Sequence, residues 1–254
     1  MPEIDVAAPA ARRLEWRTAE VVDIVDETPR VRSLILGVPG WPGHRPGQHV
    51  DVRLTGEDGY RAQRSYSIAS APEFAHLMLT VERIEEGEVS PYLASEARRG
   101  DRFELRGPIG GYFVWTAAEG GPLMLVAGGS GMAPLMAMLR HRAAAGSTVP
   151  TRLIYSSRTF EDIIYREELD RLAARRDGLE VVHTLTRRQP PGWSGGKKRI
   201  DRDMLAGLGF PPQARPTIFI CGPTSLVEQV ARSLRELGHD AKMIKTERFG
   251  PTGG

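Results

Sequence analysis

Cysteine is nearly absent from this chain: its 254 residues include one, Cys221. A single thiol cannot close a disulfide within the chain or build a four-cysteine [2Fe–2S] cluster. A structural zinc site usually needs several cysteines, so no metal site is expected. Charge excess of either sign is also missing. The chain has 34 Lys and Arg against 32 Asp and Glu, a net charge of +2. That leaves no basic field of polyanion size and no basic stripe interleaved with aromatics, so nucleic acid is not an expected partner. No apolar run is long enough to cross a bilayer. The opening stretch, "MPEIDVAAPAARRLEW", lacks the apolar core of a secretory signal. These absences lead to the expectation of a cytoplasmic protein without a membrane span.

What is present falls into two rhythms. Residues 1–13, rich in Ala, Pro and Arg, read as a loose arm. From Trp16 to about Arg106 the pattern is short and β-like: "AEVVDIVDE", "VRSLILG", "HVDVRL", "RSYSIAS", "LMLTVERIE" and "RFELRG", divided by Gly, Pro and Asp turns. Strands at this spacing predict a closed or nearly closed antiparallel barrel. One helix is expected among them, over "SPYLASEAR", with Ser90 as N-cap and Pro91 at the first helical position. After Gly120, apolar runs such as "PLMLVAGG" alternate with helical periods such as "MAPLMAMLRHRAAAG". That alternation predicts a parallel sheet with helices on both faces. The expected division is an arm over 1–13, a β-barrel domain over 14–116 and an α/β domain over 117–254.

Four stretches carry chemistry. In "RSYSIAS", alternation puts Arg64, Tyr66, Ile68 and Ser70 on one side and Ser65, Ser67 and Ala69 on the other. A cation, a ring and hydroxyls on one strand suit a large, flat, phosphorylated ligand. "GGSGMAPL" follows a strand and opens a helix, where backbone N–H groups favour a phosphate. It holds Gly129, Ser130, Gly131 and Met132, with Pro134 in place of the third glycine of the dinucleotide fingerprint. It is also compatible with a plain tight turn. Near the ends of the next two strands stand Ser156, Ser157 and Arg158, then Thr186, Arg187, Lys197, Lys198 and Arg199. Hydroxyls and cations there, where NAD-binding units place an acid, suit a 2′-phosphate, though a solvated basic loop has the same composition. "FICGPTSLVEQV" sets Cys221, Gly222 and Pro223 at the end of a buried strand, with Thr224 as a possible cap of the following helix; a lone cysteine is more often core filler.

In this order and spacing, "RSYS", "GEVSPYL", "GGSGMAPL", "CGP" and a terminal "TERF" resemble the plant-type ferredoxin–NADP reductase superfamily over about residues 16–249. The resemblance implies a barrel that binds FAD and an α/β domain that binds NADP, with NAD possible. It implies that Arg64 pairs with the flavin pyrophosphate, that Ser65 and Tyr66 lie along the flavin, and that Ser67 reaches toward its N5 edge. It gives Gly87, Val89 and Ser90 to the pyrophosphate, and Gly129, Ser130, Gly131, Met132, Ser157, Arg158, Thr186, Arg187, Lys197, Arg199, Cys221, Gly222 and Pro223 to the nicotinamide nucleotide. Ser67, Cys221 and Glu247 would line the catalytic meeting point, and Phe249 would cover the flavin. In plant-type members that aromatic ends the chain; here "GPTGG" follows it.

The activity implied is hydride transfer from NADPH to FAD, then electron delivery to a ferredoxin, a flavodoxin or an oxygenase component, by a monomer. An NADH-dependent oxygenase reductase, a free-flavin or siderophore-iron reductase, and a non-catalytic FAD-binding subunit remain as alternatives.

Overall fold

The computed structural model describes residues 14–249. The expected arm over 1–13 and the tail over 250–254 lie outside the described residues.

The first half contains β1 (Trp16–Thr28), β2 (Val31–Gly37), β3 (His49–Thr55), β4 (Arg61–Ser67), β5 (Leu77–Glu82) and β6 (Arg102–Ile109). They form one antiparallel sheet in the order β4-β3-β6-β1-β2-β5. Its edges meet just past β4: Ile68 bridges Leu79, and the Ala69 N–H donates to the Met78 carbonyl at 2.8 Å. The barrel is closed by the chain that leaves "RSYS". Alternate residues of its strands point inward, and Leu34, Leu36, Val50, Val52, Leu79, Val81 and Leu105 are fully buried. Each such side chain contributes about 1.5–3 kcal/mol of burial free energy, so Leu79→Ala would cost roughly 2–5 kcal/mol.

The helix expected over "SPYLASEAR" is a single π-helical turn, Tyr92–Glu96, in which the Ala97 N–H reaches the Tyr92 carbonyl at 2.9 Å. Ser90 does not cap it. A turn that joins the Gly87 N–H to the Ile84 carbonyl brings Ser90 back, and its hydroxyl accepts from the Ile84 N–H at 3.2 Å. Packing of Leu93 and Ala94 into the barrel core outweighs regular helical bonding here.

The second half alternates β7 (Leu123–Gly128), α1 (Met132–Ala144), β8 (Thr151–Ser157), α2 (Arg166–Ala174), β9 (Leu179–Leu185), α3 (Arg202–Leu208), β10 (Thr217–Pro223), α4 (Thr224–Glu236) and β11 (Ile244–Phe249). Its strands run parallel in the order β11-β10-β7-β8-β9. All six residues of β7 are buried, as a central strand covered on both faces must be. Residues of α1 and α2 pack into the core on one face, and those of α3 and α4 into the core on the other. Asp201 caps α3, accepting from the Met204 N–H at 2.9 Å. Thr224 is not a cap: Pro223 holds that position and Thr224 is already helical. After β9 the chain crosses to the other side of β7. The crevice at that reversal lies between the carboxyl ends of β7 and β10, where "GGSG" and "CGP" stand.

Candidate functional site

On β4, Ala62 turns into the barrel and Tyr66 packs against its core. Arg64 shares their parity but sits on an edge of the hydrogen-bonded sheet, and its side chain is 53% exposed. Its Nη1 donates to the Gln63 carbonyl at 2.7 Å, and its Nη2 donates to Glu88. The Tyr60 hydroxyl donates to the same carboxylate. These two hydrogen bonds hold the Glu88 carboxyl below its ordinary pKa. The Ser65 hydroxyl is taken by Asp51 at 2.6 Å, and Asp51 also accepts from Arg106 at 3.0 Å. Ser67 stands opposite His49 at the end of the strand. Burial raises the Tyr66 hydroxyl far above its ordinary pKa, so the ring is neutral.

The segment beside Arg64 is tight. A Cβ on Gly87 would lie 2.8 Å from the Ser90 hydroxyl oxygen. Val89 is fully buried and Ser90 is nearly so. Among the described residues, no hydrogen bond takes up the backbone N–H groups of Val89 and Ser90. Two free donors beside a half-exposed guanidinium fit a pyrophosphate.

In the parallel sheet the glycines do the corresponding work. Gly129 has φ +54, a left-handed conformation that glycine adopts without penalty. A Cβ on Gly131 would stand 2.3 Å from the Cys221 carbonyl oxygen, so only glycine permits this approach of loop to strand. Ser130 donates to Glu82 of β5 at 2.8 Å, tying the loop to the barrel, and buried Met132 opens α1. The Ser157 hydroxyl is buried without a hydrogen-bond partner. The Thr186 hydroxyl donates to the Ser157 carbonyl at 3.2 Å, and the Arg187 N–H donates to the Arg158 carbonyl at 2.9 Å. Arg158 and Arg187 are therefore neighbours at the rim, and both are exposed. Lys197 and Arg199 follow Gly196, which bridges Thr184. Their neighbours are engaged: Arg188 pairs with Glu161, and Lys198 with Asp201. The donor set fits an anionic nucleotide.

Cys221 lies in register with Glu247, Gly222 with Arg248 and Pro223 with Phe249. Burial raises the Glu247 carboxyl to about 7. Burial, reinforced by the Glu247 charge, pushes the Cys221 thiol well above its ordinary pKa. The cysteine is therefore a neutral thiol and not a nucleophile. Phe249 packs on a core cluster that contains Cys221, Met132, Ala133 and Ala69. Gly131 thus abuts the Cys221 backbone and Ser130 reaches the barrel at Glu82, while Ala69, Met132 and Cys221 belong to one extended core against which Phe249 packs. The Arg158 group stays apart at the sheet rim. Sequence reasoning missed Tyr60, Glu82 and Glu88. Only Glu88 left a signal, as the acid inside "GEVS".

Family models match both halves: residues 21–114 to an oxidoreductase FAD-binding domain, and residues 125–232 to an oxidoreductase NAD-binding domain. The glycine betaine monooxygenase reductase subunit of Pseudomonas aeruginosa is 31% identical over 236 residues, covering 91% of this chain and 63% of that protein. The chain therefore spans under two thirds of that relative's length. Ferredoxin–NADP reductase B of Sorangium cellulosum is 36% identical over 213 residues, covering 80% of this chain and 84% of that protein. Among solved structures, the FAD/NAD-binding domain of a Vibrio cholerae nitric oxide dioxygenase superposes with a TM-score of 0.81 at 25% identity, over 92% of this chain and 99% of that one. Among the described residues no helix is long and apolar enough to cross a membrane. FAD and a nicotinamide nucleotide are the cofactors of this fold, and the chain belongs to the ferredoxin–NADP reductase-like family of FAD- and NAD(P)-binding oxidoreductases.

Proposed function

We propose that the chain takes a hydride from NADPH onto FAD and delivers the electrons to a separate redox protein: a ferredoxin, a flavodoxin or an oxygenase component. The observation that carries this reading is the double contact of the glycine-rich loop, Gly131 against the Cys221 carbonyl and Ser130 hydrogen-bonded to Glu82 of the barrel, which brings elements of both halves together. When bound, the flavin supplies hydride acceptance and electron release, and the protein supplies placement and electrostatics. In this reading Arg64 grips the FAD pyrophosphate with its planar fork, aided by the N–H groups of Val89 and Ser90, with Gly87 making the turn that presents them. Ser65 contributes backbone only, because Asp51 holds its hydroxyl. Tyr66 packs on the flavin, and Ser67 meets its reactive edge. Gly129, Ser130, Gly131 and Met132 receive the nucleotide pyrophosphate. Ser157, Arg158, Thr186, Arg187, Lys197 and Arg199 receive the 2′-phosphate. Cys221, Gly222, Pro223 and Glu247 line the nicotinamide pocket, and Phe249 covers the flavin.

We assign residues 14–116 to the FAD-binding domain and 117–254 to the nucleotide-binding domain, in a cytoplasmic monomer. Among acceptors, an oxygenase component is favoured by the likeness to a monooxygenase reductase subunit. The test is reconstitution with FAD, release by acid with chromatography, and stopped-flow reduction by NADPH and by NADH. FAD release with faster reduction by NADPH is expected. Release of FMN alone, or a bound flavin that neither nucleotide reduces, would overturn the reading.

A further inference from the structure

Arg140 lies on α1, about two turns beyond the glycine-rich loop, and is 5% exposed. Its Nε and Nη2 donate to the two oxygens of Glu168 on α2 at 2.8 and 2.6 Å. Its Nη1 crosses to the barrel and donates to the Ala69 carbonyl at 2.8 Å. Its guanidinium carbon stands 4.8 Å from the centre of the Tyr165 ring. Tyr165 is buried and has φ 58, a left-handed conformation uncommon outside glycine. Its hydroxyl meets Thr80 of β5, Thr80 meets Ser33 of β2 at 2.8 Å, and Ser33 donates to Glu27 of β1 at 2.6 Å.

Counting protons gives this chain a direction. Ser33 spends its proton on the Glu27 carboxylate, so it accepts from Thr80, and Thr80 in turn accepts from Tyr165. The α/β half therefore donates to the barrel at two buried points, Arg140 to Ala69 and Tyr165 to Thr80. Ala69 is two residues past Ser67, and α1 begins at the glycine-rich loop.

We propose that Arg140 is a positioning residue for hydride transfer: by joining α1 to the Ala69 carbonyl it sets the approach of the nicotinamide-binding loop to the flavin-binding strand. This rests on the functional reading above. The reason is geometric. Hydride transfer depends on approach and alignment, and a misplacement of about 1 Å can cost about a hundredfold in rate. A bidentate, buried guanidinium holds its third contact with little freedom to rotate. The Tyr165–Thr80 bond supplies a second point, so the two halves cannot pivot about the first.

The main variant is the double substitution Arg140→Met with Glu168→Gln, which removes both members of the ion pair; Glu27, the other carboxylate facing Arg140, keeps its hydrogen bond from Ser33. We expect FAD to be retained and nucleotide affinity to change less than about threefold, while flavin reduction slows at least about tenfold. The long-wavelength charge-transfer absorbance of the nucleotide–flavin complex should fall in parallel. In flavin-free protein, amide exchange over residues 68–78 should rise, while β7 and β9 keep their protection. Arg140→Lys should not restore the rate, because one ammonium cannot span both Glu168 oxygens and the Ala69 carbonyl. Thr80→Val, which breaks the second point, should slow reduction in the same sense. Wild-type reduction rate and charge-transfer absorbance in the folded double variant would overturn the proposal. If the double variant does not fold, a folded Arg140→Lys with wild-type rate and charge-transfer absorbance overturns it instead. Exchange is read without flavin, so it judges the strut separately from a wild type that neither nucleotide reduces, the result that refutes the functional reading.

Discussion

On β4 of the barrel, the groups that would face a phosphate are side chains: Arg64 is half exposed and aimed by Glu88 and the Gln63 carbonyl. Around the β7–α1 loop of the parallel sheet they are mostly backbone, and the deciding residue is one with no side chain. Gly131 sits where any Cβ would strike the Cys221 carbonyl. A side-chain site tolerates loss of its charge as a loss of affinity. A site made by close backbone approach fails when its shape fails. The two halves should therefore respond differently to single substitutions, and four experiments probe that difference.

Gly131→Val should have the largest effect. A Cβ would stand 2.3 Å from a backbone oxygen, which cannot turn aside as a flexible side chain could. Overpacking of this kind costs about 1–3 kcal/mol or more. Displacing the loop should slow flavin reduction by more than about a hundredfold. Thermal unfolding and stopped-flow reduction measure the two parts. A variant with wild-type melting and wild-type rate would remove the contrast between the halves.

Arg64→Ala should leave the barrel folded, because its ion pair with Glu88 is largely solvent-exposed and contributes about 0–1 kcal/mol. It should lose charge-assisted contacts to FAD worth about 1.5–3 kcal/mol, roughly ten- to a hundredfold in affinity. Flavin occupancy after dialysis, beside the melting temperature of the apoprotein, separates binding from folding. Full occupancy would show that this strand does not hold the pyrophosphate.

The double variant Arg158→Ala, Arg187→Ala should lower the preference for NADPH over NADH about tenfold, with melting changed by less than about 0.5 kcal/mol. Both side chains are exposed at the sheet rim, so the fold does not need them. Nucleotide titrations read the ratio. An unchanged ratio would reassign both residues to solvent.

The smallest expected effect is a pH slope at Glu247. Its folded pKa of about 7 lies above the ordinary 4.5, so the native state binds more protons across that window. Stability should fall as pH rises from about 4.5 to about 7 and flatten above it. Allowing for partial exposure, the contribution is about 1 kcal/mol, or about 2–4 °C in Tm for a protein of this size. Glu247→Gln should reduce the fall in apoprotein Tm between pH 5 and pH 7.5 by that amount. An unchanged slope would mean that Glu247 is solvated.

The eleven strands among the described residues could be read from hydrophobic pattern: apolar residues at every second position in β3, Val50, Val52 and Leu54, and a continuous buried apolar run in β7. The glycines of the β7–α1 loop were legible as a tight strand-to-helix turn, since Gly129 and Gly131 meet local backbone demands. Ser90 was misread because a cap is decided by where the preceding turn sends the hydroxyl, and the Gly87 turn sends it to Ile84. The π-helical turn was hidden because Leu93 and Ala94 choose their hydrogen bonding by packing against strands distant in sequence.

Residue order alone determined a barrel followed by a parallel sheet, a strand bearing Arg64 and a glycine-rich strand-to-helix turn, because these follow from period and from local steric rules. The folded molecule decided which partners those residues keep. It gave Glu88 to Arg64, Asp51 to Ser65, Glu82 to Ser130 and the Ala69 carbonyl to Arg140. Each of these pairs joins residues at least 14 positions apart, and the Arg140 contact spans 71. The first two exist once the barrel assembles and the last two only after it has docked on the sheet, since long loops must be closed before such contacts can form.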